Sequence, residues 1–300
     1  MKLTGSSNSC FSRVMRFQPL LLASVMAVLA PVLIPSPALA QTPSTTADPN
    51  AQNLEPVDKG AKHAPKPINP GLVQVPDVPG LPRVLIIGDS ISMGYTPIVR
   101  AKLTGKANID HPPENCGDTI RGLDKLDKWI GTGSWDVIHF NFGLHDLKYT
   151  DGKGKYISPE EGGIRDATPE VYAKNLREIA TRLQKTGAKI IFATTTPVPP
   201  GTTGRVAGDE KVYNDVALGV MKELNIPIDD LGGYVAEKQK EMPPRPANEA
   251  PKPGDHRHVL GRPGEIQLPF NVHFTEDGYN QLADLVIASI TKYLPPTSGK

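Results

Sequence analysis

Short apolar runs alternate along this chain with longer segments of helical period. "RVLIIGD" sets four apolar residues in a row before Gly88-Asp89, the pattern of a strand buried on both faces. "SMGYTPIVRAKLTG" follows and predicts a helix that Gly105 terminates. "TIRGLDKLDKWIG" places Ile120, Leu123, Leu126 and Ile130 on one helical face. "WDVIHFNFG", "AKIIFATTTP" and the short "IPIDDL" read as further strands. Between them, "TPEVYAKNLREIATRLQKTG" predicts a helix with Thr168 as cap, Pro169 at its first position and Gly187 as its stop. "DEKVYNDVALGVMKELN" predicts another, and "TEDGYNQLADLVIASITKYL" closes the pattern as an amphipathic helix. Strands alternating with helices imply a parallel sheet covered on both faces. The expected fold class is α/β, a three-layer α/β/α sandwich with a central parallel sheet.

Three segments break the rhythm. Lys2, Arg13 and Arg16 precede the apolar run "PLLLASVMAVLAPVLIPSPALA", which ends in Ala38-Leu39-Ala40. A basic start, an apolar stretch and a small-x-small end describe a secretory signal peptide over 1–40, with cleavage after Ala40. Pro31 and Pro35 interrupt the run, so export to the periplasm, cell envelope or medium is expected, without stable membrane insertion. Residues 41–80 are rich in Pro, Thr, Asn and Ala and read as a disordered linker, leaving the folded domain to 81–296. Within that domain, 238–269 lacks a periodic face and reads as a loop insertion.

Composition narrows the function. A net charge of +1 lacks the basic footprint of a nucleic-acid partner. The chain's two cysteines, Cys10 and Cys116, leave only Cys116 after cleavage, so neither an internal disulfide nor a paired-cysteine metal site is available. His256 and His258 form a His-x-His pair with no third ligand at a telling spacing, and a solvated loop is the simpler reading. Cys116 is expected to be small apolar filler. No metal and no cofactor is expected.

The candidate chemistry lies where strands end, since parallel sheets bind ligands beyond the C-terminal ends of their strands. Ser90 follows the first strand, open to two readings: a helix cap, or a nucleophile at the mouth of the sheet. "ENCGDT" precedes the second helix, "FGLHD" follows the "VIHFN" strand, and "NVHFTEDGY" precedes the last helix. In that order, Gly88-Asp89-Ser90, Gly117-Asp118-Thr119, Gly143-Leu144-His145-Asp146 and His273 resemble the four blocks of the SGNH hydrolase superfamily, the GDSL esterases and lipases, over about residues 81 to 294. The resemblance implies a flavodoxin-like sheet, Ser90 as nucleophile and His273 as general base. It also implies an oxyanion hole built from Ser90, Gly117 and position 145. Asp89, Asp118, Asp146 and Asn271 are expected in supporting roles.

Two departures matter. The third block normally carries Asn where this chain has His145, which reads as a substitute donor. The last block normally carries Asp three residues before its His, where this chain has Phe270; Asn271, two before, bears no charge. Either a carbonyl orients the His273 ring or another carboxylate does. The resulting expectation is an exported esterase acting on carboxylic, chiefly acetyl, esters of small molecules or polysaccharides through an acyl-Ser90 intermediate. The alternatives are a carbohydrate-binding or envelope protein that has lost the chemistry, and an acyltransferase using the same residues.

Overall fold

The computed structural model describes residues 68–245 and 259–296. The segment 1–40, the first part of the 41–80 arm, and the His256/His258 pair lie outside the described residues. In chain order the elements are β1 (Arg83–Ile87), α1 (Ser90–Lys102), β2 (Asn108–Asp110), α2 (Thr119–Ile130), β3 (Val137–Phe140), β4 (Tyr149–Thr150) and β5 (Ile164–Arg165). They continue with α3 (Pro169–Gln184), β6 (Lys189–Ala193), α4 (Asp209–Glu223), β7 (Ile228–Asp229), α5 (Leu231–Lys240) and α6 (Glu276–Thr291).

Five strands make a parallel sheet in the order β2-β1-β3-β6-β7, with Leu85 opposite Ile138 and Ile138 opposite Ile190. β4 and β5 form a separate antiparallel pair. Val84, Ile86, Ile87, Val137, Ile138, Phe140, Ile191 and Phe192 are completely buried, because helices cover both sheet faces; the sheet's exposed positions, Lys189 and Ile228, lie at strand starts. The chain steps one way from β1 to β2 and the other way through β3, β6 and β7. Right-handed crossovers therefore place α1 on one face and α2, α3 and α4 on the other. The packing agrees: α1 lies against α6, α2 against α3, and α3 against α4. The reversal falls between β1 and β3, whose outgoing loops part and open a crevice there. Ser90 stands at the end of β1, and residues 141–146 follow β3.

The expected α/β sandwich is thus the observed one, with local corrections. The stretch 69–80, expected to belong to the disordered arm, is laid along the domain. Asn69 caps a short 3-10 turn at Pro70–Leu72, Gln74 Nε2 donates to the His111 carbonyl at 3.0 Å, and Asn108 Oδ1 accepts from the Val78 N–H at 2.8 Å. Polar groups hold this segment while Val73, Val75 and Val78 stay exposed, so it shows no apolar period. In α2 the buried stripe is Thr119, Gly122, Leu126 and Trp129; Ile120 is 52% exposed, and the stripe sits one residue round from the expected face. Gly122 permits this, since a Cβ there would stand 2.8 Å from Ile179 and 2.9 Å from Phe142. α5 was not expected because Gly232 and Gly233 weaken its helical signal. Position 232 has no room for a side chain: a Cβ would meet the Thr195 carbonyl at 2.4 Å.

Candidate active site

β1 delivers the chain to a tight turn, and Asp89 there caps α1, its Oδ1 accepting the Ile91 N–H at 2.9 Å. Burial pushes the Asp89 carboxyl above its usual range, against that hydrogen bond and the charge of Arg205. Capping is therefore the work of Asp89, and the alternative reading of Ser90 as the cap falls. Ser90 is the first helical residue, and its Oγ lies 2.8 Å from His273 Nε2. Ser90 and His273 are 183 residues apart and meet because α6 packs on α1, which brings the loop before α6 over the start of α1.

Asn271 determines how His273 works. Its Oδ1 lies 2.7 Å from His273 Nδ1 and accepts the His273 backbone N–H at 3.1 Å. A backbone N–H only donates, so the atom facing it is the amide oxygen. The same oxygen faces Nδ1, which must then carry the ring proton, and Nε2 presents a lone pair to the Ser90 hydroxyl. That is the tautomer a general base needs. The orienting group expected three residues before the histidine is replaced by a neutral carbonyl two before it. Phe270, at the expected position itself, adopts φ +58, a left-handed conformation that costs a bulky residue about 1–2 kcal/mol. Buried Gln267 anchors the loop, donating to the carbonyls of Pro197 at 2.9 Å and Val272 at 3.0 Å.

The candidate oxyanion donors are the backbone N–H groups of Ser90 and Gly117 and the His145 ring. The Ser90 N–H, in the first turn of α1, is among those a helix leaves without intrahelical partners. Gly117 adopts φ +67, open to glycine, but its N–H donates to Asn115 Oδ1 at 2.9 Å. An oxyanion using that N–H has to displace the Asn115 carbonyl. Asp118 caps α2 through the Arg121 N–H at 2.8 Å. Asp146, completely buried, accepts from both the N–H and the hydroxyl of Thr119, which ties the loop after β3 to the loop bearing Gly117. Burial pushes the Asp146 carboxyl up to about 7, and its Oδ2 has no partner among the described residues. His145 lies in that same loop, with Nδ1 3.3 Å from Lys148 Nζ. Burial first, then the charges of Lys148, Arg205, His273 and Arg121, hold the His145 ring well below the ordinary histidine range, so it is neutral. The loop turns sharply at Gly143, where φ is +149 and a Cβ would meet Thr195 Oγ1 at 2.1 Å.

Two hollows adjoin this arrangement. One, of about 490 Å³ and largely apolar, is lined by Pro199, Met242, Ile266, Leu268 and Phe270, the residue before Asn271. The other, of about 590 Å³, is mixed polar and apolar, lined by Asp118, the residue after Gly117, with Ile120, Arg121, Asp124, Ile164 and Asp166. Cys116 is completely buried, and burial raises its thiol far above the range in which a thiolate forms, as the filler reading requires. A second Ser–His pair lies beneath α1: Ser92 Oγ is 2.8 Å from His111 Nε2. Both residues are at most 2% exposed, and burial pushes His111 down to about 4, so this pair is closed to substrate. Sequence reasoning singled out neither this pair nor Asn115 and Lys148. Among the described residues no helix is long and apolar enough to cross a membrane.

The chain is an α/β/α sandwich on a flavodoxin-like parallel sheet, with a Ser–His pair at the C-terminal end of β1. No family model and no curated protein matches the chain's sequence. Solved structures share its fold. The acetyl xylan esterase AlAXEase is 15% identical with a TM-score of 0.52, covering 69% of this chain and 99% of its own. The lipase/acylhydrolase from Enterococcus faecalis is 19% identical with a TM-score of 0.51, covering 73% of this chain and 100% of its own. A variant of Axe2, an acetyl-xylooligosaccharide esterase from Geobacillus, is 16% identical with a TM-score of 0.51, covering 70% of this chain and 94% of its own. The chain therefore has the fold of these hydrolases.

Proposed function

We propose that the protein is a serine esterase of the SGNH type. The single observation that carries this reading is the hydrogen-bonded line from Ser90 Oγ through the His273 ring to Asn271 Oδ1, at 2.8 and 2.7 Å. His273 Nε2 takes the Ser90 proton as Oγ attacks the ester carbon, and Asn271 holds the imidazolium by its Nδ1–H. The carbonyl oxygen becomes an oxyanion facing the Ser90 N–H, the His145 ring and, once Asn115 yields, the Gly117 N–H. His273 then gives its proton to the departing alkoxide, leaving acyl-Ser90. Water, deprotonated by the same ring, attacks the acyl carbon; the acyl–Oγ bond then breaks, Ser90 Oγ takes the proton back from His273, and the acid leaves. Every step is completed by residues of this chain.

Acetyl esters on carbohydrate are the favoured substrates. The hollow that begins at Asp118, lined by charged side chains and by the exposed Ile120 and Ile164, suits the alternating hydroxyl and C–H faces of a sugar chain. One structure with this fold is an acetyl xylan esterase by name and another an acetyl-xylooligosaccharide esterase. Export through the 1–40 segment puts the enzyme where polysaccharide is met. The non-catalytic reading drew on Phe270, and Asn271 takes away its main support. Purified protein is expected to hydrolyse p-nitrophenyl acetate faster than the butyrate or octanoate ester. A protein inert to all three across pH 6–9 contradicts the esterase reading.

Asn271 supplies a second prediction. A carboxylate within about 4 Å of an imidazolium raises its pKa by 1–3 units. Asn271→Asp is therefore expected to raise kcat about 10- to 100-fold at the plateau, since the tautomer is already correct and only charge is added. The rising limb of the pH–kcat/KM profile moves to higher pH, because His273 must lose its proton to act as base and now holds it more tightly. An unchanged profile would show that Asn271 does not touch the working ring.

A further inference from the structure

We infer that Lys148 is a positioning residue that fixes the tautomer of His145 and so makes that ring an N–H donor to the acyl oxyanion. The inference rests on the esterase reading for the second half of that statement only. An ammonium group has three donors and no acceptor, so the atom that Lys148 Nζ meets at 3.3 Å, His145 Nδ1, must offer a lone pair. A neutral imidazole with a bare Nδ1 carries its proton on Nε2. That nitrogen is the donor left to serve where the family uses an amide side chain.

The lysine is itself held. Asp166 Oδ2 lies 3.1 Å from Lys148 Nζ, and the other Asp166 oxygen accepts the Thr150 hydroxyl at 3.0 Å. The Asp166 backbone N–H returns to the Lys148 carbonyl at 3.0 Å. The side chain of Lys148 is only 13% exposed, with its ammonium 5.6 Å from the centre of the Tyr156 ring. A long surface lysine would swing; this one is fixed from two elements. Arg205 completes the frame, its Nε donating to the Leu144 carbonyl at 2.9 Å, one residue before His145. The cationic and titratable groups acting on the His145 ring are thus Lys148, Arg205, His273 and Arg121, and all of them oppose a second proton. A neutral donor held in one tautomer is ready before the oxyanion forms, which is the condition for electrostatic preorganisation.

Two variants and one spectroscopic readout test this. Lys148→Met keeps the apolar stem and removes the donor, while Lys148→Arg keeps a donor at the same place. With ¹⁵N-labelled histidine, wild-type protein is expected to show His145 as the Nε2–H tautomer. Lys148→Met is expected to show a mixture of tautomers, and Lys148→Arg the wild-type form. In p-nitrophenyl acetate hydrolysis, Lys148→Met is expected to lose about tenfold in kcat, a fraction of what a lost oxyanion donor costs, with KM within about twofold. Lys148→Arg is expected to recover most of the loss. An unchanged His145 tautomer in a folded Lys148→Met protein overturns the inference, as does an unchanged kcat. If wild-type protein hydrolyses no ester, the esterase reading falls with the kinetics, and the tautomer measurement still decides the role of Lys148.

Discussion

Ser90→Ala is expected to abolish ester hydrolysis, lowering kcat by about 10⁴- to 10⁶-fold, and His273→Ala is expected to lower it as far. Neither residue is of use alone: the hydroxyl needs the ring to take its proton, and Ser90 Oγ, 2.8 Å from Nε2, is the hydroxyl the ring serves in this account. The double variant is therefore expected to be no worse than either single one. Any residual rate would come from the oxyanion donors and from substrate binding, which neither change touches. Both variants should fold, since Ser90 is not the cap of α1 and the loop before α6 is anchored by Gln267, not by the His273 ring. Thermal melting within a few degrees of wild type checks that condition. Additive losses would mean that Ser90 and His273 serve separate steps.

His145→Ala is expected to cost about 10²–10³ in kcat, the loss that follows removal of one oxyanion-hole donor, or about 3–4 kcal/mol of transition-state stabilisation. The effect should fall on kcat more than on KM, because the carbonyl oxygen bears its full charge only in the transition state. His145→Asn restores a neutral N–H donor and is expected to recover part of the loss. A fall in KM affinity with kcat unchanged would instead place His145 in ground-state binding. The site can feel this removal sharply because its second donor, Gly117, begins engaged with Asn115.

Much of this was legible in the sequence, for a physical reason. A strand buried on both faces is mostly apolar, so β1, β3 and β6 announced themselves, and the polar member of β3, His139, is paired with Asp229. Polar residues at their C-terminal ends stood out as Ser90 and His145 against that background. β2, whose buried residues are only Asn108 and Ile109, gave no such run and went unseen. The helix face of α2 was misjudged at Ile120 because the period marks which residues can share a face, while Gly122 decides how closely that face approaches its neighbours. Residues 69–80 were read as arm because polar hydrogen bonds, not apolar burial, hold them to Asn108 and His111.

The site divides the same way. Ser90, Gly117, His145 and His273 sit in ordered blocks and could be marked one by one. The role of Asn271 depends on which atom of its amide faces His273, and that is fixed by the His273 backbone N–H, a geometric fact no residue pattern contains. Lys148 lies three residues beyond His145, in a loop where spacing carries no periodic meaning, so only the 3.3 Å contact brings it forward.

The most direct test of the account is covalent: treatment of the protein with a fluorophosphonate, followed by mass mapping of the modified peptide. An activated serine attacks phosphorus, expels fluoride and keeps the phosphonyl group. The account predicts one label per chain, on Ser90, with labelling slowed by orders of magnitude in His273→Ala. Label on another serine, Ser92 included, or no label on Ser90 under conditions where ester is being hydrolysed, would contradict it.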